Sequence, residues 1–277
     1  MTLPAIPDWL RTGISHTGSQ VMVAAQQAYR LSAVHVDLPL LILPMAGIKR
    51  MELSGVQGSA CPGQFMMVHQ VACPQVENVP PSLGESYRAW LVTLPWRVVE
   101  MARTLLQTEI PPNVQEASAP FTIDLITPLL SGLKRLLEVL TMPNAPPQVS
   151  LDYALLGVAI ALAHSGHGQF LYARDPSISS RIRQLVSTAP EHEWSSSDFE
   201  DRLHVSGATL RRRLADEGTS LRELLREARL HHGLALLQTT RKPVKSVAQA
   251  CGYRSAPCFT RNFIARFGIN PSTVANS

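Results

Sequence analysis

The sequence predicts an α+β protein in which a β-rich amino-terminal domain with two or more helices precedes an all-α carboxy-terminal domain. Short apolar runs bounded by glycine and proline fill the first 120 residues, and amphipathic helical patterns follow them. One helical pattern then occurs twice between residues 194 and 268. A chain of 277 residues is long enough for two domains with separate cores, and 45% hydrophobic and 17% charged residues are typical of a globular protein.

The first part of the chain predicts strands. Its apolar runs are short and either continuous or alternating: VMVAA from Val21, PLLILP from Pro39, QFMMVHQVA from Gln64 and ESYRAWLVTL from Glu85. Pro62-Gly63-Gln64 predicts a turn before a buried strand. Many short strands favour a barrel or a sandwich, and we expect a β-barrel over about 10–120.

Helices are predicted over about 95–165. PWRVVEMARTLL places Pro95 in a first helical turn. Leucines share one stripe over 128–140, and the segment 150–164 is apolar almost all round, so we expect it to be largely buried. These two helices either cover the barrel or contact a second copy of the chain, and we expect a homodimer. A domain 1–170 would then end at a linker over 171–180.

The positive charge is concentrated in the last third of the chain. Residues 181–277 hold 15 Lys and Arg against 9 Asp and Glu, whereas residues 1–180 hold 10 against 12. A basic domain of this kind fits a nucleic-acid partner, although a solvated surface has the same composition.

Cofactor and membrane signals are weak. The four cysteines form neither a CxxC pair nor a Cys/His cluster with zinc spacing, and His69 stands alone on its predicted strand, so we expect no metal and no cofactor. No secretory signal pattern opens the sequence, and the apolar run 153–163 is shorter than a membrane span. We therefore expect a cytoplasmic protein with no membrane partner.

The repeated pattern predicts two helix-turn-helix units, at 194–218 and 244–268. Each has a short amphipathic segment, a tight turn and a serine, Ser206 or Ser255, that can cap a second helix. A helix of this kind enters the DNA major groove and contacts bases with its outer face.

In the first unit the outer face carries arginine. Leu210 and Leu214 are spaced i, i+4 and face the core, which leaves Ala208, Arg211 and Arg212 outside, with Arg213 near the edge. Arginine suits the two acceptors of guanine in the major groove. We expect these residues to contact bases, although three consecutive arginines also occur on solvated faces.

In the second unit the outer face is smaller. Three phenylalanines recur every four residues and face inward, so that Ala256, Thr260 and Arg261 face outward, with Pro257 in the first turn. A methyl or hydroxyl group can contact a base edge, and arginine can reach guanine or phosphate.

A helix over 220–238 is predicted between the two units. Its apolar pattern from Leu221 to Gln238 covers about 18 residues, roughly 27 Å at 1.5 Å per residue. This length suits two DNA-reading helices held about one DNA turn, roughly 34 Å, apart.

Residues 181–277 resemble the DNA-binding domain of the AraC/XylS family of bacterial transcription regulators. The matching motifs are Leu203-His204-Val205-Ser206, Thr209-Leu210-Arg211-Arg212, Arg229-Leu230, Ala250-Cys251-Gly252-Tyr253 and Phe263 to Pro271 (FIARFGINP). The resemblance implies a double-stranded promoter or operator as partner, with RNA polymerase as a further one, transcription activation as the outcome and association with the nucleoid when bound. Base contacts are implied for Ala208, Arg211, Arg212, Ala256, Pro257, Thr260 and Arg261. Backbone contacts are assigned to Ser206, Arg213, Ser220, Arg229 and Ser255, with Ser220 and Arg229 alternatively bracing the two halves.

For the amino-terminal half the resemblance implies a cupin-like barrel that binds a small-molecule effector or mediates dimerisation. His35, Lys49, Arg50 and His69 are candidates for a ligand carboxylate, but each is more readily explained as a surface or internally satisfied residue. We therefore assign no effector-binding residue.

Two alternatives stay open. One is a regulator controlled by a protein partner or by dimerisation, without a small-molecule ligand. The other is an enzyme that modifies DNA and uses the helix-turn-helix units for targeting, which requires an activated cysteine near His and Glu. Cys61 and Cys73 each precede proline and lie in no recognisable nucleophile motif, so we expect no enzyme activity.

Overall fold

The computed structural model of the chain describes residues 22–108, 121–173, 177–189 and 192–275, together with Pro7 and Leu10. Parts of two predictions lie outside the described residues. They are the two ends of the barrel, near residues 10 and 120, and residues 174–176 of the linker.

Within these described residues, nine strands form two antiparallel sheets. They are β1 (Met22–Ala25), β2 (Tyr29–Leu31), β3 (Leu40–Ala46), β4 (Ile48–Leu53), β5 (Val56–Ala60), β6 (Gln64–Val68), β7 (Gln75–Val79), β8 (Tyr87–Thr93) and β9 (Phe121–Asp124). The five-stranded sheet has the order β1-β8-β3-β6-β9, and the four-stranded sheet has the order β2-β7-β4-β5. The predicted turn before β6 is present, with Gly63 at a φ of 96°.

The two sheets lie face to face. Ile42 and Met66 of the five-stranded sheet share one apolar cluster with Leu31 and Val76 of the four-stranded sheet. The alternate residues of β3, such as Leu41, pack on the other side of the five-stranded sheet. That sheet is therefore covered on both faces, which explains why β3 reads as a continuous apolar run.

The outer face of the five-stranded sheet is covered by α1 (Trp96–Leu105), α2 (Thr127–Leu140) and α3 (Gln148–Leu162). A π-helical turn (Ala163–His167) and a 3-10 turn (Gln169–Tyr172) follow α3. The helices α2 and α3 approach closely, since a Cβ atom on Gly132 would lie 3.2 Å from the Cα atom of Val158.

The expectation that the helix over 150–164 is largely buried is only half correct. Val149 and Tyr153 on α3 are 79% and 66% exposed, because the helix covers the domain with one side only. The segment Gln148–His167 has a length and composition that would allow it to cross a membrane, and 39% of its most apolar window is buried. Its inner face, including Val158 and Leu162, packs in the core as a core helix does.

The carboxy-terminal region is all helical. Its helices are α4 (Ile178–Thr188), α5 (Ser196–Leu203), α6 (Gly207–Asp216), α7 (Leu221–Thr239), α8 (Val244–Ala250), α9 (Ala256–Phe267) and α10 (Pro271–Val274). The predicted fold class, a β-rich amino-terminal domain with helices followed by an all-α domain, is confirmed. The domain limits remain a prediction. Helix α4 already begins at Ile178, inside the predicted linker.

The two halves share a continuous apolar interface. Leu230, Leu234 and Leu237 on α7 lie in the same buried cluster as Tyr29 and Tyr87 from the sheets. The helical region is therefore packed on the sheets through the second half of α7.

Candidate nucleic-acid interface

The first helix-turn-helix unit is built by α5 and α6. Ser195 caps α5 with a reciprocal capping box: its hydroxyl accepts from the backbone of Asp198, whose carboxylate accepts from the Ser195 backbone at 2.8 Å. His204 ends α5 in the left-handed conformation, with a φ of 54°. Ser206 then caps α6 by accepting from the Thr209 N–H at 3.3 Å.

The tight turn between α5 and α6 requires a small residue at position 207. A Cβ atom on Gly207 would lie 2.6 Å from a carboxylate oxygen of Glu200. The two helices therefore meet closely at Gly207. Inside the unit, Phe199 stacks on Trp194 at 5.0 Å between ring centroids and joins the buried Leu210 and Leu214.

The outer face of α6 is free for a ligand. Arg211, Arg212 and Arg213 are exposed, as is Ala208. Within the described part of the chain, none of these three arginines forms an ion pair with a carboxylate. Their guanidinium groups need give up only water when they bind an acceptor, which is the condition for contact with bases or phosphates.

The second unit is built by α8 and α9. Gly252 makes the turn with a φ of 74°, and Ser255 caps α9 by accepting from the Cys258 N–H at 3.4 Å. Phe259, Phe263 and Phe267 are fully buried along the inner side of α9. On the other side Pro257 and Arg261 are exposed, whereas Ala256 and Thr260 are half-buried.

Helix α7 connects the units and sets their spacing. Its 19 residues correspond to about 28 Å of helix. Leu224 and Ala228 near its start pack with the first unit, whereas Leu234 and Leu237 near its end pack with the second. The two units are therefore held by one continuous helix, as the sequence predicts.

The serines and the arginine assigned to the DNA backbone lie in different settings. Ser220 is exposed and caps α7 by accepting from the Glu223 N–H at 3.3 Å. Arg229 is half-buried, and its Nη2 donates to the carbonyl of His192 at 3.5 Å. This contact joins α7 to the segment before the first unit.

Ion pairs connect the helical region to the sheet domain. Glu227 on α7 forms ion pairs with His35 at 3.2 Å and with Arg266 on α9 at 3.3 Å. The hydrogen bond with His35 holds the pKa of Glu227 down at about 2, against the opposing effect of burial. Burial alone would lower the pKa of His35, but hydrogen bonds with Cys73 and Glu227 outweigh it and raise that pKa to about 9.

A buried chain of hydrogen bonds is a second link between the helical region and the sheets. The Lys49 Nζ donates to Asn78 at 2.8 Å, Asn78 donates to the Tyr29 hydroxyl at 2.9 Å, and Gln238 on α7 donates to the same hydroxyl at 2.8 Å. Burial lowers the pKa of Lys49 to about 7. Lys49 is thus an internally bonded residue. Two other effector candidates have carboxylate partners: Arg50 pairs with Glu77 at 3.1 Å, and His35 pairs with Glu227 at 3.2 Å. His69 is buried.

Sequence reasoning did not find these contacts between the halves. Tyr29 and Gln238 are 209 positions apart, and neither residue lies in a recognisable motif. It also did not find Arg222, Arg226 and Arg254, which line a groove beside α9. Two signals were available in the sequence: Arg222 and Arg226 are four positions apart on one helix, and Arg254 directly precedes the capping residue Ser255.

Comparison with known proteins agrees with this geometry. A helix-turn-helix domain family matches residues 200–277. The transcriptional regulator YdeO of Escherichia coli strain K12 is 32% identical over 99 residues, which are 36% of this chain and 39% of YdeO. The virulence regulon transcriptional activator VirF of Shigella flexneri is 32% identical over 95 residues, 34% of this chain and 36% of VirF. The chain thus matches about two fifths of the length of these curated relatives.

The solved structures extend the likeness to both halves. The structure of ToxT from Vibrio cholerae, bound to (E)-4-(8-methylnaphthalen-1-yl)but-3-enoic acid, has a TM-score of 0.58 and 15% sequence identity. The alignment covers 91% of this chain and 96% of that protein. At this identity the likeness concerns the fold, which is a β-rich half followed by a helical half.

Proposed function

We propose that the protein is a sequence-specific DNA-binding transcription regulator of the AraC type, since a helix-turn-helix domain family matches residues 200–277. The observation that carries the proposal is the pair of capped helices α6 and α9, joined by α7, whose outward residues point away from the core. The activating role in the name of VirF supports activation as the outcome. No catalytic step is part of this proposal.

The two units would contribute unequally to base recognition. Arg211 and Arg212 are long, exposed and free of carboxylate partners among the described residues, so they suit direct contact with guanine. On α9 only Arg261 combines exposure with hydrogen-bonding capacity, since Ala256 and Thr260 are half-buried. We expect α6 to supply most of the sequence preference.

Genome-wide mapping of binding sites with the full chain tests the proposal. We expect one recurring DNA motif with two parts about one helical turn apart. Purified protein should then bind a duplex with that motif at least a thousandfold more tightly than a random duplex at physiological salt. Uniform binding to all duplexes would overturn sequence-specific recognition, and no binding to any duplex would overturn a role at DNA.

We further propose that the amino-terminal half controls DNA binding in response to a small molecule. The support is the packing of α7 on the sheets through Tyr29 and Gln238, together with the organic acid named in the ToxT structure of the same fold. A thermal-shift screen of the full chain with organic acids, and with their neutral amides as controls, tests this. No shift with any compound, together with unchanged DNA binding, would favour the alternative of control by a protein partner or by dimerisation.

A homodimer fits the outer surface of the helices that cover the five-stranded sheet. Leu105 on α1 and Val149 and Tyr153 on α3 are more than 60% exposed, which is unusual for large apolar side chains. Light scattering at several concentrations measures the mass. Tyr153→Lys should shift the mass toward the monomer, and a wild-type monomer at high concentration would exclude this contact.

A further inference from the structure

A groove lies between the first half of α7 and the start of α9. It has a volume of about 790 Å³. Four arginines line it: Arg222, Arg226, Arg229 and Arg254. Among the described residues that line it none is acidic, and its floor is largely apolar, with Leu225 and Tyr253 among the contributors.

The arginines of α7 form a row along one side of the groove. Arg222, Arg226 and Arg229 are spaced i, i+4 and i+7, so they share one stripe of the helix. The row extends about 10 Å along the axis. Phosphates follow one another closely along a DNA strand, so neighbouring arginines of this row, such as Arg222 and Arg226, can reach phosphates of the same strand.

These charges are available to a ligand. Arg222 and Arg254 are exposed, and within the described residues neither forms an ion pair. Arg226 contacts Glu223 at 3.2 Å, but both side chains are about half exposed, at 54% and 48%. An exposed pair of this kind is worth little, so exchanging Glu223 for a phosphate costs little.

The groove also adjoins the helix ends that approach DNA in the proposed function. Ser220, which caps α7, follows the first unit, and Arg254 directly precedes Ser255, which caps α9. The start of the 12-residue α9 adds its partial positive charge at this end of the groove. A DNA strand that contacts both α6 and α9 would therefore run along this groove.

We propose that this groove holds the sugar-phosphate backbone of the DNA strand between the two recognised segments. Arg222, Arg226 and Arg254 bind its phosphates, and the apolar floor receives the deoxyriboses. This inference rests on the proposed function and adds three residues that the sequence-based assignment lacks. The second unit, poor in base-contacting side chains, would then hold DNA through the groove beside it rather than through base recognition.

The test is the salt dependence of binding of the full chain to a 30-base-pair duplex of mixed sequence. The wild-type protein is compared with the double variant Arg222→Ala/Arg226→Ala and with Arg254→Ala. Each lost phosphate contact should reduce the slope of log K against log salt by about 0.9. The double variant should therefore lose about 1.8 from the slope and Arg254→Ala about 0.9, and the preference among sequences should not change.

Arg135→Ala is the matched control, because Arg135 on α2 is 55% exposed and pairs with Glu138 at i, i+3 and 3.2 Å, as Arg226 does with Glu223. Its slope should equal that of the wild type. Circular dichroism at the temperature of the binding assay verifies that each variant is folded.

Three outcomes are distinguishable. If the wild type does not bind the duplex, the proposed function fails. If the wild type binds and the variants have the same slope of log K against log salt, the groove does not hold phosphates, whatever the affinity of the variants for DNA. If the variants bind DNA as the wild type does but no longer activate transcription by RNA polymerase in a purified assay, the groove holds an acidic protein segment instead. The DNA proposal is then overturned.

Discussion

Arg183 on α4 and Asp37 of the sheet domain form a bidentate ion pair across the boundary between the two halves of the chain. The Arg183 Nε lies 2.9 and 3.0 Å from the two Asp37 oxygens, and the Nη2 lies 2.7 Å from one of them. The Ser180 hydroxyl donates to the same carboxylate at 3.0 Å. The side chains are only 9% and 17% exposed, so the pair is shielded from water.

Removing the negative charge of this pair should be costly. Asp37→Asn leaves the Arg183 charge in a poorly hydrated site without a counter-charge, and we expect the free energy of unfolding to fall by about 3 kcal/mol. Urea unfolding measures the change. Glu138→Gln, which removes the partner of the exposed Arg135, is the control and should change stability by less than about 1 kcal/mol. Equal effects of the two substitutions would mean that the buried pair has no special role.

The arginines of α6 should be separable into base and phosphate contacts. If Arg211 or Arg212 contacts a base, its replacement by alanine should cost about 1–3 kcal/mol of binding and relax one position of the recognised motif. Binding to the selected motif, its single-base variants and a random duplex measures this. An equal loss on every duplex would instead make the residue a phosphate contact.

Two glycines on helices should respond to alanine in opposite directions. A Cβ atom on Gly233 of α7 would lie 2.7 Å from the Phe259 ring of α9 and 3.2 Å from the Cys251 sulfur. Gly233→Ala should therefore destabilise the chain by about 1–3 kcal/mol and weaken DNA binding, because α9 must move. A Cβ atom on Gly157 of α3 meets nothing within 4 Å, so Gly157→Ala should stabilise by about 0.5–1 kcal/mol. Thermal unfolding measures both, and destabilisation by Gly157→Ala or tolerance of Gly233→Ala would contradict the packing described.

The stability of the chain should depend on pH through His231. Burial, followed by the nearby charges of His35 and Arg266, lowers the pKa of His231 to about 3. Above about pH 6.5 the ring is neutral in both states. As the pH falls below that value, the unfolded chain binds a proton that the folded chain refuses, so stability is lost toward acid pH.

His231→Phe removes this contribution. Relative to the variant, the wild type should lose about 2 kcal/mol of stability between pH 7 and pH 5. Urea unfolding at both pH values gives the difference. His204, which is exposed and left-handed, offers a second histidine substitution for comparison, because His204→Asn keeps that backbone conformation. Parallel profiles for His231→Phe and the wild type would show that the buried ring takes up a proton without cost.

Local patterns were enough to predict the helical region. Ser195, Ser206 and Ser255 lie at helix starts as their side chains require, and α6 begins directly after Ser206. The α3 helix shows the limit of such patterns, because an apolar composition does not say which side another layer will cover. Tyr153, within the segment 150–164 that was expected to be largely buried, consequently remains exposed.

The sequence by itself determined the elements and the type of site, since caps, turns and apolar periodicity act over a few residues. Only the tertiary structure decided how the halves meet. The ion pair of Arg183 with Asp37 and the hydrogen bond of Gln238 with Tyr29 join residues far apart in the chain, and such pairs leave no local pattern. The arginine groove has the same origin, because Arg254 and Arg222 become neighbours only when α7 packs beside α9.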